Sequence, residues 1–91
     1  MKFKVMKIDN CFAETQTYEY MVDVTGEEFL KYLTDWKLRV NEKLRRPVCV
    51  AEKNGVIVKT VLEGHSLRVS YPDARWMMEK IEFEEFLEKL V

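Results

Sequence analysis

Residues 47–71 read PVCVAEKNGVIVKTVLEGHSLRVSY, and the rest of the chain has to be arranged around them. Tight-turn signals at Asn54-Gly55 and around Gly64 separate three runs that are rich in β-branched residues. Strands that are joined by turns this short are antiparallel neighbours. The stretch therefore predicts a three-stranded antiparallel meander.

The register of this meander predicts two sheet faces of different character. A two-residue turn at Asn54-Gly55 pairs Lys53 with Val56, Ala51 with Val58 and Cys49 with Thr60. Because side chains alternate along a strand, one face forms a core from Cys49, Ala51, Val56, Val58, Leu62, Leu67, Val69 and Tyr71. The other face is half apolar, with Val48, Val50, Glu52, Ile57, Lys59, Val61, Arg68 and Ser70. A sheet with one solvated face alternates more cleanly, so we expect the chain or a partner to cover part of this second face.

Length and composition predict a single α+β domain over residues 1–91. Hydrophobic residues make up 47% of the chain and charged residues 34%, which is typical of folded proteins. The net charge of −1 provides no general attraction to nucleic acid or to membranes. Lysines interrupt the apolar residues at the N-terminus, and the longest apolar run is 48–51. We therefore expect a soluble, cytoplasmic protein without a membrane partner.

Two strands are predicted ahead of the meander. Residues 1–8 and 15–24 alternate between apolar and polar side chains with a period close to two. We expect them to form a hairpin. Apolar residues in the connecting loop 9–14 suggest that this loop folds back over the core.

A helix is predicted between the hairpin and the meander. Thr25 and Glu28 have the spacing of a capping box, which favours a helix start. Apolar residues at helical spacing extend the predicted helix as far as Pro47, namely Phe29, Leu33, Trp36, Val40 and Leu44. Leu38 would lie opposite this stripe and be exposed unless the helix breaks near Thr34-Asp35.

The segment after the meander is ambiguous between a strand and a helix. At helical spacing one side collects Phe83, Phe86, Leu87 and Leu90. Met78 and Ile81 fall outside that group, which favours a break. We predict a strand over 75–81 and a short helix over 83–90, with one continuous helix as the alternative. The predicted order is β-β-α-β-β-β-β-α, a mainly antiparallel sheet packed against one long helix.

Residues that could carry chemistry form no recognisable constellation. His65, the single histidine, lies next to Ser66 in a turn, where adjacent side chains point in different directions. Cys11 and Cys49 match no metal-binding spacing and are expected to be reduced thiols. Three glycines are too few for a phosphate-binding loop. We predict no catalytic residues, no metal site and no cofactor, with an enzyme of unrecognised type as an alternative.

Charge is distributed unevenly along the chain. The segment 37–46 has a net charge of +4, with Lys37, Arg39, Lys43, Arg45 and Arg46 against Glu42. A basic cluster can neutralise phosphates, so nucleic-acid binding is an alternative function. On a helix these cations would be spread around the axis, without interleaved aromatic residues. The segment 79–89 has a net charge of −3, and it could meet the basic segment of the same copy or of another copy.

The half-apolar sheet face supports the main functional hypothesis. Trp76, Met77 and Met78 are consecutive, so in a strand they cannot all point inward. We predict a partner-binding surface formed by Val48, Val50, Ile57, Val61 and Met77. The predicted function is a protein-binding or assembly module without catalytic activity, whose partner is a second copy in a homodimer or another protein.

Overall fold

The computed structural model describes residues 1–8, 15–41, 43 and 45–90. Its strands are β1 (Phe3–Ile8), β2 (Thr15–Val22), β3 (Lys37–Asn41), β4 (Val48–Lys53), β5 (Val56–Val61) and β6 (Ser66–Pro72). Its helices are α1 (Gly26–Leu30) and α2 (Trp76–Lys89), and a 3-10 turn (Asp73–Arg75) leads into α2. The strands form one antiparallel sheet in the order β1-β2-β6-β5-β4-β3. The architecture is α+β, as predicted.

The predicted meander is confirmed as β4, β5 and β6. Ala51 lies opposite Val58, and Val58 lies opposite Val69. Asn54 and Gly55 have φ angles of 53° and 84°, the left-handed geometry that a two-residue hairpin turn requires. Cys49, Ala51, Val56, Val58, Leu67, Val69 and Tyr71 are buried, and Leu62 is half-buried. The predicted core face is therefore the core of the protein.

The N-terminal hairpin is confirmed as well. β1 pairs with β2, and β2 pairs in turn with β6, which joins the hairpin to the meander. Tyr18, Tyr20 and Val22 of β2 are buried on the core face. The prediction that loop 9–14 folds back over the core lies outside the described residues.

The predicted helix up to Pro47 is wrong beyond its first turns. Thr25 caps the helix as predicted, because the Glu28 amide donates to Thr25 Oγ1 at 3.2 Å, while the Glu28 carboxylate accepts from the Thr25 hydroxyl at 3.2 Å. The helix nevertheless ends at Leu30, and residues 31–36 are turns. Residues 37–41 then form β3.

The reason for this change lies in the open edge of β4. The segment KLRVN alternates with a period of two, and as a strand it pairs along β4. The register places Leu38 opposite Ala51 on the core side of the sheet. The helix ends at Leu30, a few residues before the break near Thr34-Asp35 that the misfit of Leu38 had indicated, and Asp35 forms an ion pair with Lys53.

The predicted strand over 75–81 is also wrong, since α2 runs without interruption from Trp76 to Lys89. The positions of Met78 and Ile81 disfavour a continuous helix only if both side chains are buried. They are instead 68% and 58% exposed, while Phe83 and Leu87 of the same helix are buried against the sheet. The order of elements still reads β-β-α-β-β-β-β-α. The strand predicted over 75–81 is absent, and β3, which was not predicted, keeps the number of strands the same. The long helix is the C-terminal one.

Both helices pack on the core face of the sheet. Phe83 of α2 lies at the centre, with ring centroids 5.5 Å from Tyr20, 6.3 Å from Tyr71 and 6.4 Å from Phe29 of α1. Edge-to-face contacts of this kind add to the burial of apolar area. The core thus lies between α1, α2 and one side of the sheet.

Helix α1 is fixed to the turn between β5 and β6. The Gly26 amide donates to the Gly64 carbonyl at 2.9 Å, and the Glu27 amide donates to the Leu62 carbonyl at 3.0 Å. A Cβ atom on Gly26 would lie 2.5 Å from the Val61 carbonyl oxygen. This close approach of backbones requires glycine at position 26.

Candidate interaction surface

The side of the sheet that faces away from α1 and α2, termed the outer face, is covered by no described helix or strand. Its middle row crosses all six strands and consists of Met6, Glu19, Arg68, Lys59, Val50 and Arg39. Four of these side chains are exposed, and Glu19 and Val50 are half-buried. The outer face is therefore accessible across its width.

The outer face is cationic, although the whole chain has a net charge of −1. Its charged residues are Lys4, Lys37, Arg39, Lys59 and Arg68 against Glu19 and Glu52, a net charge of +3. Lys59 lies directly opposite Arg68 on the neighbouring strand. Like charges in directly opposed positions destabilise a sheet. An anionic partner would relieve this repulsion.

Apolar side chains lie between these charges. The set consists of Met6, Ile8, Met21, Val48, Val50, Ile57 and Val61. Met6 and Met21 are exposed, and the others are half-buried by their neighbours. A protein partner on this face would contact both the apolar side chains and the charges between them.

The predicted partner-binding residues are brought together with one exception. Val48, Val50, Ile57 and Val61 all lie on the outer face of β4 and β5. Met77 belongs instead to α2, on the other side of the sheet, where it is 61% exposed. Its inclusion in this surface was wrong because residues 75–81 are not a strand.

The basic residues of the nucleic-acid alternative are divided between β3 and the loop after it. Lys37 and Arg39 lie on the outer face, opposite Glu52 and Val50 of β4. Lys43, Arg45 and Arg46 are exposed in the β3–β4 connection. Lys37 and Arg39 thus extend the cationic row of the sheet rather than surrounding a helix.

Lys59 and Arg68 were predicted to lie on the second sheet face but not to be part of a functional surface. The signal was present, because one of the two possible registers of the second turn places them opposite each other. Met6 and Met21 join the surface only through the pairing of β2 with β6. That contact is long-range and leaves no local pattern.

Helix α2 presents a second uncovered surface, termed the helix face, on the side away from the sheet. It consists of Met77, Met78, Ile81, Glu82, Glu85, Glu88 and Lys89, all exposed. Three carboxylates and one lysine give a net charge of −2. The helix face therefore combines an apolar half with an acidic half.

A buried polar network connects α2 to the sheet. The Tyr20 hydroxyl donates to Glu84 Oε2 at 2.9 Å and lies 2.7 Å from the Tyr71 hydroxyl, which must then be the donor to Tyr20. Glu84 also forms an ion pair with Lys80. Burial raises the pKa of Tyr20 and of Tyr71 above the usual value. Both tyrosines are fully buried, whereas Glu84 and Lys80 are half-buried, so the network links α2 to the sheet and reaches the surface at its Glu84–Lys80 end.

A cavity of about 250 Å³ lies beside the β4–β5 turn. It is lined by Asp35, Trp36, Lys53, Asn54, Val56, Glu79, Glu82, Phe83 and Phe86. Its polar rim is largely paired, because Asp35 binds Lys53 and Glu79 lies 3.4 Å from Arg75. The hydrogen bond from Lys53 lowers the pKa of Asp35. The volume is below the range of about 300–1,000 Å³ that is common for small-molecule sites.

Cys49 and His65 are the described candidates for a reactive side chain. Cys49 is buried, and loss of hydration raises the pKa of its thiol, which disfavours the nucleophilic thiolate. His65 is exposed, and its carbonyl accepts from the Val22 amide at 2.9 Å. In the part of the chain that the structure describes, no three His, Cys, Asp or Glu residues are grouped to hold a metal ion. Within the same ranges, no helix has the length and apolar character needed to cross a membrane.

Comparison of the chain with protein-family models, with curated proteins and with solved structures finds no match. The outer face and the helix face are the candidate binding surfaces of the described residues.

Proposed function

We propose that this protein is a protein-binding or assembly module that acts through the outer face and has no catalytic activity. The observation that carries the proposal is the placement of both helices on the core face, which leaves a half-apolar sheet face uncovered by any described element. Apolar side chains interspersed with charges provide both contact area and orientation for a protein partner. A cytoplasmic location remains part of the proposal.

A second copy of the chain is the simplest proposed partner. Association of two copies through Val48, Val50, Ile57 and Val61, as in a homodimer, would enlarge the apolar core of a 91-residue protein. Sedimentation equilibrium tests the surface with Ile57→Lys, which places a charge at a half-buried outer position. Thr34→Lys is the matched control, because it adds the same charge in an exposed turn on no sheet face.

We expect the wild type and Thr34→Lys to associate at tens to hundreds of micromolar, and Ile57→Lys to remain monomeric with an unchanged circular dichroism spectrum. Equal association of Ile57→Lys and the control would exclude the outer face as a self-association surface. A monomeric wild type would leave only a different protein as partner.

Nucleic-acid binding is a second candidate because Lys37 and Arg39 join Lys59 and Arg68 on one sheet face. Phosphate contacts make binding steeply dependent on salt. Fluorescence anisotropy with a single-stranded and a duplex DNA at 20 and 200 mM salt tests this candidate. No binding at 20 mM salt would exclude it. Outer-face residues of the described strands include no aromatic ring for base stacking, which makes protein binding the better-supported function.

A further inference from the structure

The two uncovered surfaces of this protein are complementary to each other. The outer face has a net charge of +3 and the helix face a net charge of −2, and each contains exposed apolar side chains. They lie on opposite sides of the molecule, so one copy cannot bring them together. We infer that the helix face of one copy docks on the outer face of the next copy. This inference rests on the proposed function of the outer face.

Charge favours this arrangement over a twofold contact between two outer faces. A twofold pair would bring two surfaces of net charge +3 together, with Lys59 and Arg68 of both copies in the contact. Docking the helix face instead brings Glu85 and Glu88 to those cations, and like-charge contacts are replaced by opposite charges. Met78 and Ile81, which are 68% and 58% exposed, provide the apolar part of the contact.

The helix face is small enough to fit on the outer face. From Met77 to Glu88 the helix face is about 17 Å long at 1.5 Å per residue. Six strands at about 4.8 Å spacing make the outer face about 24 Å wide. A contact between one helix and a sheet buries less area than a standard interface, which buries about 800 Å² per partner. Contacts of this size are typical of weak, transient complexes, and the exposed charges make this one sensitive to salt.

A contact between two different surfaces leaves one of each free at the ends of every open complex. Such contacts form rings or open chains rather than closed dimers. The average mass should then rise with concentration and pass the mass of two copies, 21.8 kDa for a chain of 10.9 kDa.

A charge-exchange experiment tests the contact. One variant, Lys59→Glu with Arg68→Glu, reverses the centre of the outer face, and a second, Glu85→Lys with Glu88→Lys, reverses the acidic half of the helix face. All four positions are exposed, so both variants should fold, which thermal unfolding checks. Sedimentation velocity at 50–500 μM in 50 mM salt then compares the wild type, each variant alone and their equimolar mixture.

We expect the wild type to associate beyond a dimer, each variant alone to be a monomer, and the mixture to regain association. The mixture regains it because each variant then meets a surface of opposite charge. Association of the helix-face variant at the wild-type level would overturn the inference. If the outer-face variant is then monomeric, the outer face still binds itself and the proposed function stands. A monomeric wild type at 500 μM would overturn the inference and leave the proposed function to be tested with other proteins.

Discussion

Lys59 and Arg68 lie directly opposite each other on β5 and β6, in the middle of a sheet face that no described element covers. Directly opposed like charges cost a sheet roughly 0.2–1 kcal/mol. Glu19 lies on the other side of Arg68 and offsets part of this repulsion. An acidic partner that binds both cations would offset the remaining cost.

The first prediction concerns this pair. Lys59→Glu should raise the free energy of unfolding by about 0.5 kcal/mol, because Arg68 then faces a carboxylate on each side. Urea unfolding at low salt measures the change, and Lys59→Gln is the control that removes the charge without reversing it. The difference between the two variants should shrink in 0.5 M salt. Equal stability of the wild type and Lys59→Gln would show that the repulsion is absent.

The second prediction concerns the attachment of α1. Gly26→Ala should destabilise the protein by about 1–2 kcal/mol, since a Cβ atom would lie 2.5 Å from the Val61 carbonyl oxygen and from Thr60 Oγ1. This cost exceeds the gain in helix propensity of up to about 1 kcal/mol. Gly64→Ala is the matched control, because its Cβ would lie 3.5 Å from the nearest atoms. Comparable urea midpoints for the two variants would contradict the close backbone contact.

The third prediction concerns the pH dependence of stability. Tyr20 and Tyr71 have raised pKa values in the folded state, chiefly because they are buried. Below about pH 10 both tyrosines are neutral in the folded and in the unfolded state, so they cause no pH dependence of the free energy of unfolding there. Above it the unfolded tyrosines release protons that the folded ones retain. The free energy of unfolding should fall by about 1.4 kcal/mol per pH unit for each tyrosine.

Tyr20→Phe checks this assignment. At neutral pH it should cost about 1–3 kcal/mol, because the buried Tyr71 hydroxyl loses its acceptor and Glu84 loses a donor. Above pH 10, the loss of stability per pH unit that Tyr20 and Tyr71 cause should be about half as large in the variant as in the wild type, because only Tyr71 still titrates. Urea unfolding between pH 8 and 11 measures both slopes, and an unchanged slope would assign the titration to other residues.

The fourth prediction concerns the continuity of α2. Glu82→Pro should destabilise the protein by about 3 kcal/mol or more, since position 82 lies inside an uninterrupted helix. Glu82→Ala should change stability by less than about 0.5 kcal/mol at this exposed position. A chain that broke before Phe83, as the apolar pattern suggested, would tolerate proline there. Similar urea midpoints for the two variants would support that break.

The sequence predicted the parts of the fold that are set by local pairing. The turn at Asn54-Gly55 determines which residues of β4 and β5 oppose each other, and the alternation of side chains then determines both faces. Thr25 and Glu28 likewise determine the start of α1 through contacts three residues apart. These predictions required no information from distant parts of the chain.

The errors arose where distant contacts override the local pattern. Val40 fits a helical stripe, but the edge of β4 provides hydrogen bonds for a strand at residues 37–41. Met78 and Ile81 obscured the pattern of α2 because they are exposed, whereas apolar side chains were expected to be buried. Of the candidate surface, Val48, Val50, Ile57 and Val61 could be predicted from the meander alone, while its extension to β2 and β3 could not.

Residue-resolved NMR tests the central claim, that the outer face is the docking surface, most directly. Dilution of ¹⁵N-labelled protein from 1 mM to 20 μM should shift amide signals of Val50, Lys59 and Arg68 on the outer face. Shifts confined to Leu38 and Val40, which are exposed on the core side of edge strand β3, would place the contact at the sheet edge and contradict the claim.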